Sequence, residues 1–351
     1  MSFLNKKLSH LKAYVPGEQL CDREYIKLNT NESPFPPSPL VAEAITKAEL
    51  DNLKLYPDPT CRVLCEKAAE VYNIKKENVL FGNGSDEVLS YIFLAFCENG
   101  VVFPDISYGF YKVFAELYGI DYEKIPLDSD FKITAEKYFN KNKTIIIANP
   151  NAPTGLILSQ KEIIEILQSN KNNVVIIDEA YIDFGGKSAI DLICDYKNLI
   201  VVQTFSKSRS LAGARLGMAF ADEKIINDLI KIKYSTNPYN INRITQLAGC
   251  AALSDKEYFE LSCKKIIDVR ETFSCFLQKN HFFVLHSFAN FLFVKHDYLS
   301  GEYIYNYFKE NNILVRHFES DRISDFNRIT IGTAVQMKAI ENVIIKLNAE
   351  N

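Results

Sequence analysis

Between residues 78 and 221 the chain alternates short, unbroken apolar runs with stretches of helical spacing. The runs are NVLF (78–81), VVF (101–103), TIIIA (144–148), VVIID (174–178), LIVVQ (199–203) and LGMAFA (216–221). A strand with one wet face shows a polar residue at every second position; a run that is apolar throughout is covered on both faces. Between the runs apolar residues recur at helical spacing, as at Ile163, Ile166 and Leu167. This alternation predicts an α/β fold with a mostly parallel sheet between layers of helix.

The rest of the chain reads differently. YSTNPYNIN (234–242) is polar and rich in turn formers. Beyond it, helical spacing dominates, at Ile266, Val269, Phe273 and Phe276 and again at Ile340, Val343, Ile344 and Leu347. Short strand candidates lie between, NFLFV (290–294), ILVR (313–316) and RITIG (328–332). That pattern predicts a smaller α+β domain. The N-terminal stretch closes on SPFPPSP (33–39), which reads as an extended arm that packs on other elements. We therefore expect an arm over residues 1–35, a large domain over 36–245 and a small C-terminal domain over 246–351.

Several function classes are disfavoured by composition. A net charge of −4 gives no general attraction to nucleic acid or anionic lipid. The start, MSFLNKKLSH, has no apolar core of a secretory signal, and no apolar run approaches the roughly 20 residues that cross a bilayer. The 8 cysteines are scattered and form no Cys-x-x-Cys, so a cytoplasmic protein with reduced thiols is expected. Cys61 and Cys65 stand one helical turn apart and read as packing residues, because two thiols do not make a metal site.

Ligands of open α/β sheets bind at the carboxyl ends of the strands. After NVLF comes GNGSDEVL (82–89), where two glycines and a new helix offer a phosphate cradle; the stretch reads also as an ordinary turn with Ser85 or Asp86 as helix cap. After VVF, Tyr108 could lie against a ring or merely pack. After TIIIA, the rigid polar turn NPNAPTG (149–155) holds Asn151 as a hydrogen-bond donor, or is a plain loop. After VVIID, Asp178 ends a buried strand and wants a cationic partner, with Tyr181 in reach; it reads equally as a helix cap. After LIVVQ, TFSKSRSLAGARLG (204–217) carries Ser206, Lys207 and Arg215. A lysine desolvated there becomes a nucleophilic amine, whereas a solvated one does nothing. Together the five ends supply a phosphate cradle, a stacking aromatic, an amide donor, a carboxylate and an amine, which are the parts that hold pyridoxal 5'-phosphate.

These stretches, with KLNTNESPFPPSP (27–39), YPDP (56–59), ILVR (313–316) and RITIGT (328–333), resemble the fold-type I pyridoxal-phosphate aminotransferases over nearly the whole chain. Within that group they are most similar to the histidinol-phosphate aminotransferases. The resemblance implies a large domain with a mostly parallel seven-stranded sheet, a smaller α+β domain, and a homodimer with shared sites. It assigns catalysis to Lys207, Asp178 and Tyr108. It implies that Lys207 holds the cofactor covalently, Asp178 pairs with its ring nitrogen, Tyr108 stacks on the ring, and Asn151 and Tyr181 contact the ring oxygen. Ser85, Asp86, Ser206 and Arg215 would bind its phosphate, joined by Tyr56 of the neighbouring subunit. Arg328 would take a carboxylate, and Arg316 with Tyr14 a distal phosphate. Expected partners are an amino donor and a 2-oxo acid, with no nucleic acid and no membrane. IGTAVQ (331–336) lacks the acidic residues usual in the family after Gly-Thr, which should affect helix capping. A threonine-phosphate decarboxylase or a broad aromatic or aspartate aminotransferase would share these motifs. A nicotinamide dehydrogenase would need a G-x-G-x-x-G after the first strand, and a DNA-binding regulator would need an extension for which 351 residues leave no room.

Overall fold

A computed structural model describes residues 3–5, 8–9, 11, 17–20 and 22–350. A two-residue strand β1 (Ile26–Lys27) precedes the main sheet. That sheet is built from β2 (Val79–Gly82), β3 (Val101–Pro104), β4 (Tyr122–Ile125), β5 (Thr144–Ala148), β6 (Val175–Asp178), β7 (Leu199–Thr204) and β8 (Gly217–Ala221), in the order β2-β8-β7-β6-β5-β3-β4. All neighbouring pairs are parallel except those made by β8, which runs antiparallel to both β2 and β7.

The apolar runs are buried for the reason their composition suggests. Ile145, Ile147, Val175, Ile177, Leu199 and Val201 feed the core on one face, and Ile146, Ile176, Ile200 and Val202 feed the core on the other. Period-two geometry sends neighbouring residues to opposite faces, so both faces must be covered. The helix Gln160–Ser169 covers one face with Ile163, Ile166 and Leu167, and starts at a capping box between Ser159 and Glu162. Registration levels the strand ends, with Ala148 opposite Asp178, Asp178 opposite Val202, and Gly217 opposite both Gly82 and Thr204. The loops after β2, β5, β6 and β7 therefore emerge side by side.

A second sheet has the order β12-β13-β10-β9, from β9 (Phe282–Val284), β10 (Phe291–His296), β12 (Arg316–His317) and β13 (Phe326–Thr330). Its apolar face packs with Ile266 and Phe273 of the helix Lys256–Lys279 and with Ile340, Ile344 and Leu347 of the helix Ala334–Glu350. The run ILVR does not form one strand. Ile313–Leu314 is β11, parallel to β1, and Val315 separates it from β12, which pairs with β13. The sequence reading also missed β4. Its YEKI is an edge strand with two adjacent charged residues, Glu123 and Lys124, at its centre, so it lacks the unbroken apolar signature. The turn read at 234–242 begins later, because the helix Glu223–Thr236 runs through the first three of those residues. At IGTAVQ, the Gln336 side chain accepts from the Thr333 N–H and the Thr333 hydroxyl accepts from the Gln336 N–H, so a neutral pair caps the last helix. No helix among the described residues is long and apolar enough to cross a membrane.

A third apolar cluster, with Ile106, Leu127, Phe293, Ile323 and Phe326, joins the two sheets. Arg322 clamps the same junction: it bonds the Asp105 carboxylate at 2.8 Å and the carbonyls of Leu127 and Asp128.

Candidate active site

β2 ends in Gly82, and the helix Ser85–Phe96 starts three residues later with Gly84 as its cap, at φ +81°. Ser85 and Asp86 are therefore the first residues inside the helix, and neither is the cap. No side chain caps this end, so it presents the first-turn N–H groups and the positive end of the helix dipole. The approach is tight. A Cβ on Gly217 would stand 2.3 Å from the Ser85 nitrogen, and one on Gly84 would stand 2.5 Å from the Arg215 guanidinium. Arg215, in the left-handed region at φ +55°, reaches across to the Asp86 carboxylate at 3.1 Å.

Asp86 also accepts from the Tyr108 hydroxyl at 2.7 Å. The Tyr108 ring meets Tyr111 edge-on, with centroids 5.5 Å apart. Tyr111 in turn donates to Asp178 at 2.6 Å. Asp178 closes β6 and is 4 % exposed, and burial pushes its carboxyl up to about 6 against the pull of the Tyr111 and Ala180 donors. Burial, and then the Arg328 guanidinium, pull the Lys207 ammonium down to about 8, while Glu32 and Asp86 oppose them. Its Nζ donates to the carbonyl of Thr30 at 3.0 Å and lies 5.9 Å from the centre of the Tyr181 ring. The Tyr181 hydroxyl accepts from the Asn31 amide at 2.9 Å.

Two cavities meet at Lys207. The inner one, about 120 Å³, is lined by Ser85, Asp86, Tyr108, Asp178, Tyr181, Ser206, Lys207 and Arg215. The outer one, about 430 Å³, shares Tyr108, Tyr181 and Lys207 and adds Asn31, Arg316, Phe318 and Arg328. Arg316 and Arg328 are registered partners across β12 and β13, so both guanidinium stems rise from one point of the small sheet. Arg328 donates to the Asn29 carbonyl at 3.0 Å.

An anion cradle with no room for a Cβ, a flat aromatic wall, a buried carboxylate and a desolvated amine around one cavity fit a phosphorylated pyridine aldehyde. The family model for aminotransferase class I and II matches residues 23–347. The chain belongs to the class I and II aminotransferases. Similar curated proteins include the histidinol-phosphate aminotransferase of Brachyspira hyodysenteriae, 49 % identical over 96 % of both chains. That of Clostridium acetobutylicum is 49 % identical over 95 % of this chain and 96 % of the relative. A solved histidinol-phosphate aminotransferase from Sinorhizobium meliloti, in complex with pyridoxal-5'-phosphate, superposes with a TM-score of 0.88 over 99 % of both chains at 24 % identity. That likeness bears on the fold.

The aminotransferase fold gathers most of the residues singled out in the sequence, and departs from that reading at several. Asn151 is 1 % exposed and lines neither cavity. Its N–H groups go to the Ile106 carbonyl and the Thr154 hydroxyl, and its carbonyl accepts from Ser107, so it orders the loop before Tyr108. In this structure both Asn151 amide hydrogens are engaged within the protein. The Asp86 side chain is an acceptor engaged by Tyr108 and Arg215, so its carboxylate holds the groups that face an anion and does not itself bind one. Tyr56 is 77 % exposed, stacks on Tyr239 with centroids 4.5 Å apart, and lines neither cavity of its own chain. Tyr14 lies outside the described residues.

Sequence reasoning overlooked Tyr111, Thr30 and Asn31 as parts of the site. Tyr111 stands three residues beyond Tyr108 and carries no strand-end signal of its own. Thr30 and Asn31 lie in the extended segment after β1, which carries no strand-end signal. Asn31 sits at φ +56°, held by Thr330 and Asn290, and this brings its amide to Tyr181.

Proposed function

We propose that this aminotransferase moves the amino group of histidinol phosphate to 2-oxoglutarate, with pyridoxal phosphate held in the inner cavity. Identity of 49 % over 96 % of both chains to a histidinol-phosphate aminotransferase supports the substrate. The observation that carries the reading is the pairing of Arg316 with Arg328 on the wall of the outer cavity, which Lys207 also lines. A donor with a phosphate and an acceptor with two carboxylates must use one pocket in turn, and paired guanidinium groups suit both anions.

Ser85, Ser206, Arg215 and the helix N-terminus would hold the cofactor phosphate, Tyr108 its ring face, Asp178 its ring nitrogen, Tyr181 its ring oxygen, and Lys207 its aldehyde carbon. When bound, the cofactor supplies an electron sink for charge that develops at the substrate carbon. The protein's own part is proton control and placement. Lys207, lowered to about 8, is neutral in a useful fraction near neutral pH, so Nζ can take the proton from the substrate Cα. The Thr30 carbonyl keeps Nζ at the mouth between the cavities. Asp178, raised to about 6, is still mostly ionised at neutral pH and can keep a cationic ring nitrogen in place. The bond to Asp86 and the edge contact with Tyr111 hold Tyr108, which suits it to stack on the ring.

Tyr56, turned away from its own cavities, supports a homodimer in which it completes the partner's phosphate site. We place the enzyme in the cytoplasm and divide it at residues 36 and 246 into arm, cofactor domain and small domain. The test is a panel of phosphorylated amines with 2-oxoglutarate. Formation of imidazole-acetol phosphate and glutamate from histidinol phosphate supports the reading. Carbon dioxide from threonine phosphate, without histidinol-phosphate turnover, would overturn it.

A further inference from the structure

We propose that Tyr111 is a positioning residue for amino transfer, holding the Asp178 carboxylate through its hydroxyl and bracing Tyr108 through its ring. The inference rests on the reading of the inner cavity as the pyridoxal-phosphate site. Three observations carry it. First, both partners are buried: Tyr111 is 0 % exposed and Asp178 4 %. A hydrogen bond from an interior hydroxyl to an interior carboxylate is strong, because no water competes for either group. Second, the bond is well made, at 2.6 Å to Oδ2, while Oδ1 has a longer bond of 3.3 Å from the Ala180 N–H. A carboxylate has about four lone-pair sites, so these two bonds orient the group and still leave acceptor capacity toward the cavity. Third, the Tyr111 ring is wedged between Phe103, with centroids 5.9 Å apart, and the edge contact with Tyr108. The hydroxyl thus has one place to point. A single side chain thereby ties together the two residues assigned to the face and the nitrogen of one ring.

Without the hydroxyl, the Ala180 N–H is the remaining donor to Asp178 among the described residues, and the carboxylate is free to turn or to take a proton. Either change weakens its hold on a cationic ring nitrogen. Burial, and then the Asp178 charge, hold the Tyr111 phenol well above its ordinary value, so it serves as donor across the working pH range.

The test uses the holoenzyme reconstituted with ¹⁵N-labelled pyridoxal phosphate. In Tyr111→Phe the ring-nitrogen resonance should move toward the unprotonated position. kcat should fall roughly ten- to hundredfold, as for one hydrogen bond to a buried charge, with KM changed less than about threefold. In an Asp178→Asn background the same substitution should change kcat less than about twofold; a merely structural role would give equal losses in both backgrounds. An unmoved resonance with unchanged kcat, or equal losses in both backgrounds, overturns the proposal. Wild-type protein that takes up no pyridoxal phosphate overturns the functional reading and this inference with it, whereas a protonated wild-type ring with a silent variant overturns this inference alone. If Tyr111→Phe does not fold, 3-fluorotyrosine at position 111 keeps the ring and the hydroxyl. Its ¹⁹F resonance should shift on cofactor addition and in Asp178→Asn, and a resonance indifferent to both overturns the proposal.

Discussion

Lys207→Met should make the cofactor-free chain more stable at pH 7.5, and that advantage should vanish as pH rises to about 10.5. The unfolded chain's amine takes up its proton near its ordinary 10.5, but the folded chain's amine does so only near 8. Between those values the unfolded state binds more protons, so wild-type stability climbs with pH; below 8 the penalty is complete. The gap between 10.5 and about 8 corresponds to about 3 kcal/mol. Methionine has nearly the same length and no charge to desolvate, but it forfeits the 3.0 Å bond to the Thr30 carbonyl, worth about 1 kcal/mol. The net gain expected at pH 7.5 is about 2 kcal/mol. The assay is urea unfolding of both proteins at pH 7.5, 9 and 10.5, followed by far-ultraviolet circular dichroism. The chain has no tryptophan, and its 19 tyrosines begin to ionise at the upper end, so fluorescence is the poorer probe. Other titrating groups are common to both chains and cancel in the difference. Stability curves that run parallel across the whole range would refute the reasoning, because they would mean that the folded amine keeps its proton as readily as the unfolded one.

The other expectations follow from the same geometry. Asp178→Asn should lower kcat by at least about 10²-fold while cofactor affinity changes far less, since its charge matters most as charge develops; steady-state kinetics beside a cofactor titration separates the two. Gly217→Ala puts a Cβ 2.3 Å from the Ser85 nitrogen and must push back the start of the helix, so cofactor affinity should drop at least about tenfold with about 1–3 kcal/mol of destabilisation, read by equilibrium dialysis and urea unfolding. Arg322→Gln removes the clamp on Asp105 and the 127–128 carbonyls, and should raise KM for both substrates while leaving cofactor affinity as it was. Mixed dimers of Lys207→Ala and Tyr56→Phe chains should recover activity above either parent, up to half of wild type per mixed dimer, because one of two shared sites carries neither defect; the absence of recovery would assign Tyr56 to its own subunit.

The unbroken apolar runs by themselves determined that a buried, helix-covered sheet must form, because strands without polar alternation cannot leave a face in water. The ends of those runs also marked Ser85, Asp178, Ser206 and Lys207, since a polar or charged residue that breaks such a run stands where the strand leaves the core. Local sequence could not set what depends on pairing between distant segments. LGMAFA reads the same whether parallel or antiparallel, and ILVR hides a switch from one sheet to another at Val315. The partners of Asp86 and Asn151 were likewise not local: folding brings Arg215 and Tyr108 to Asp86, and the Ile106 carbonyl to Asn151. Nothing local marked Tyr111 or Asn31, which only folding sets against Asp178 and Tyr181. Periodicity reports which faces are dry, and that is a property of each segment alone. A hydrogen bond between residues 67 or 150 positions apart belongs to no segment, and only the closed fold decides it.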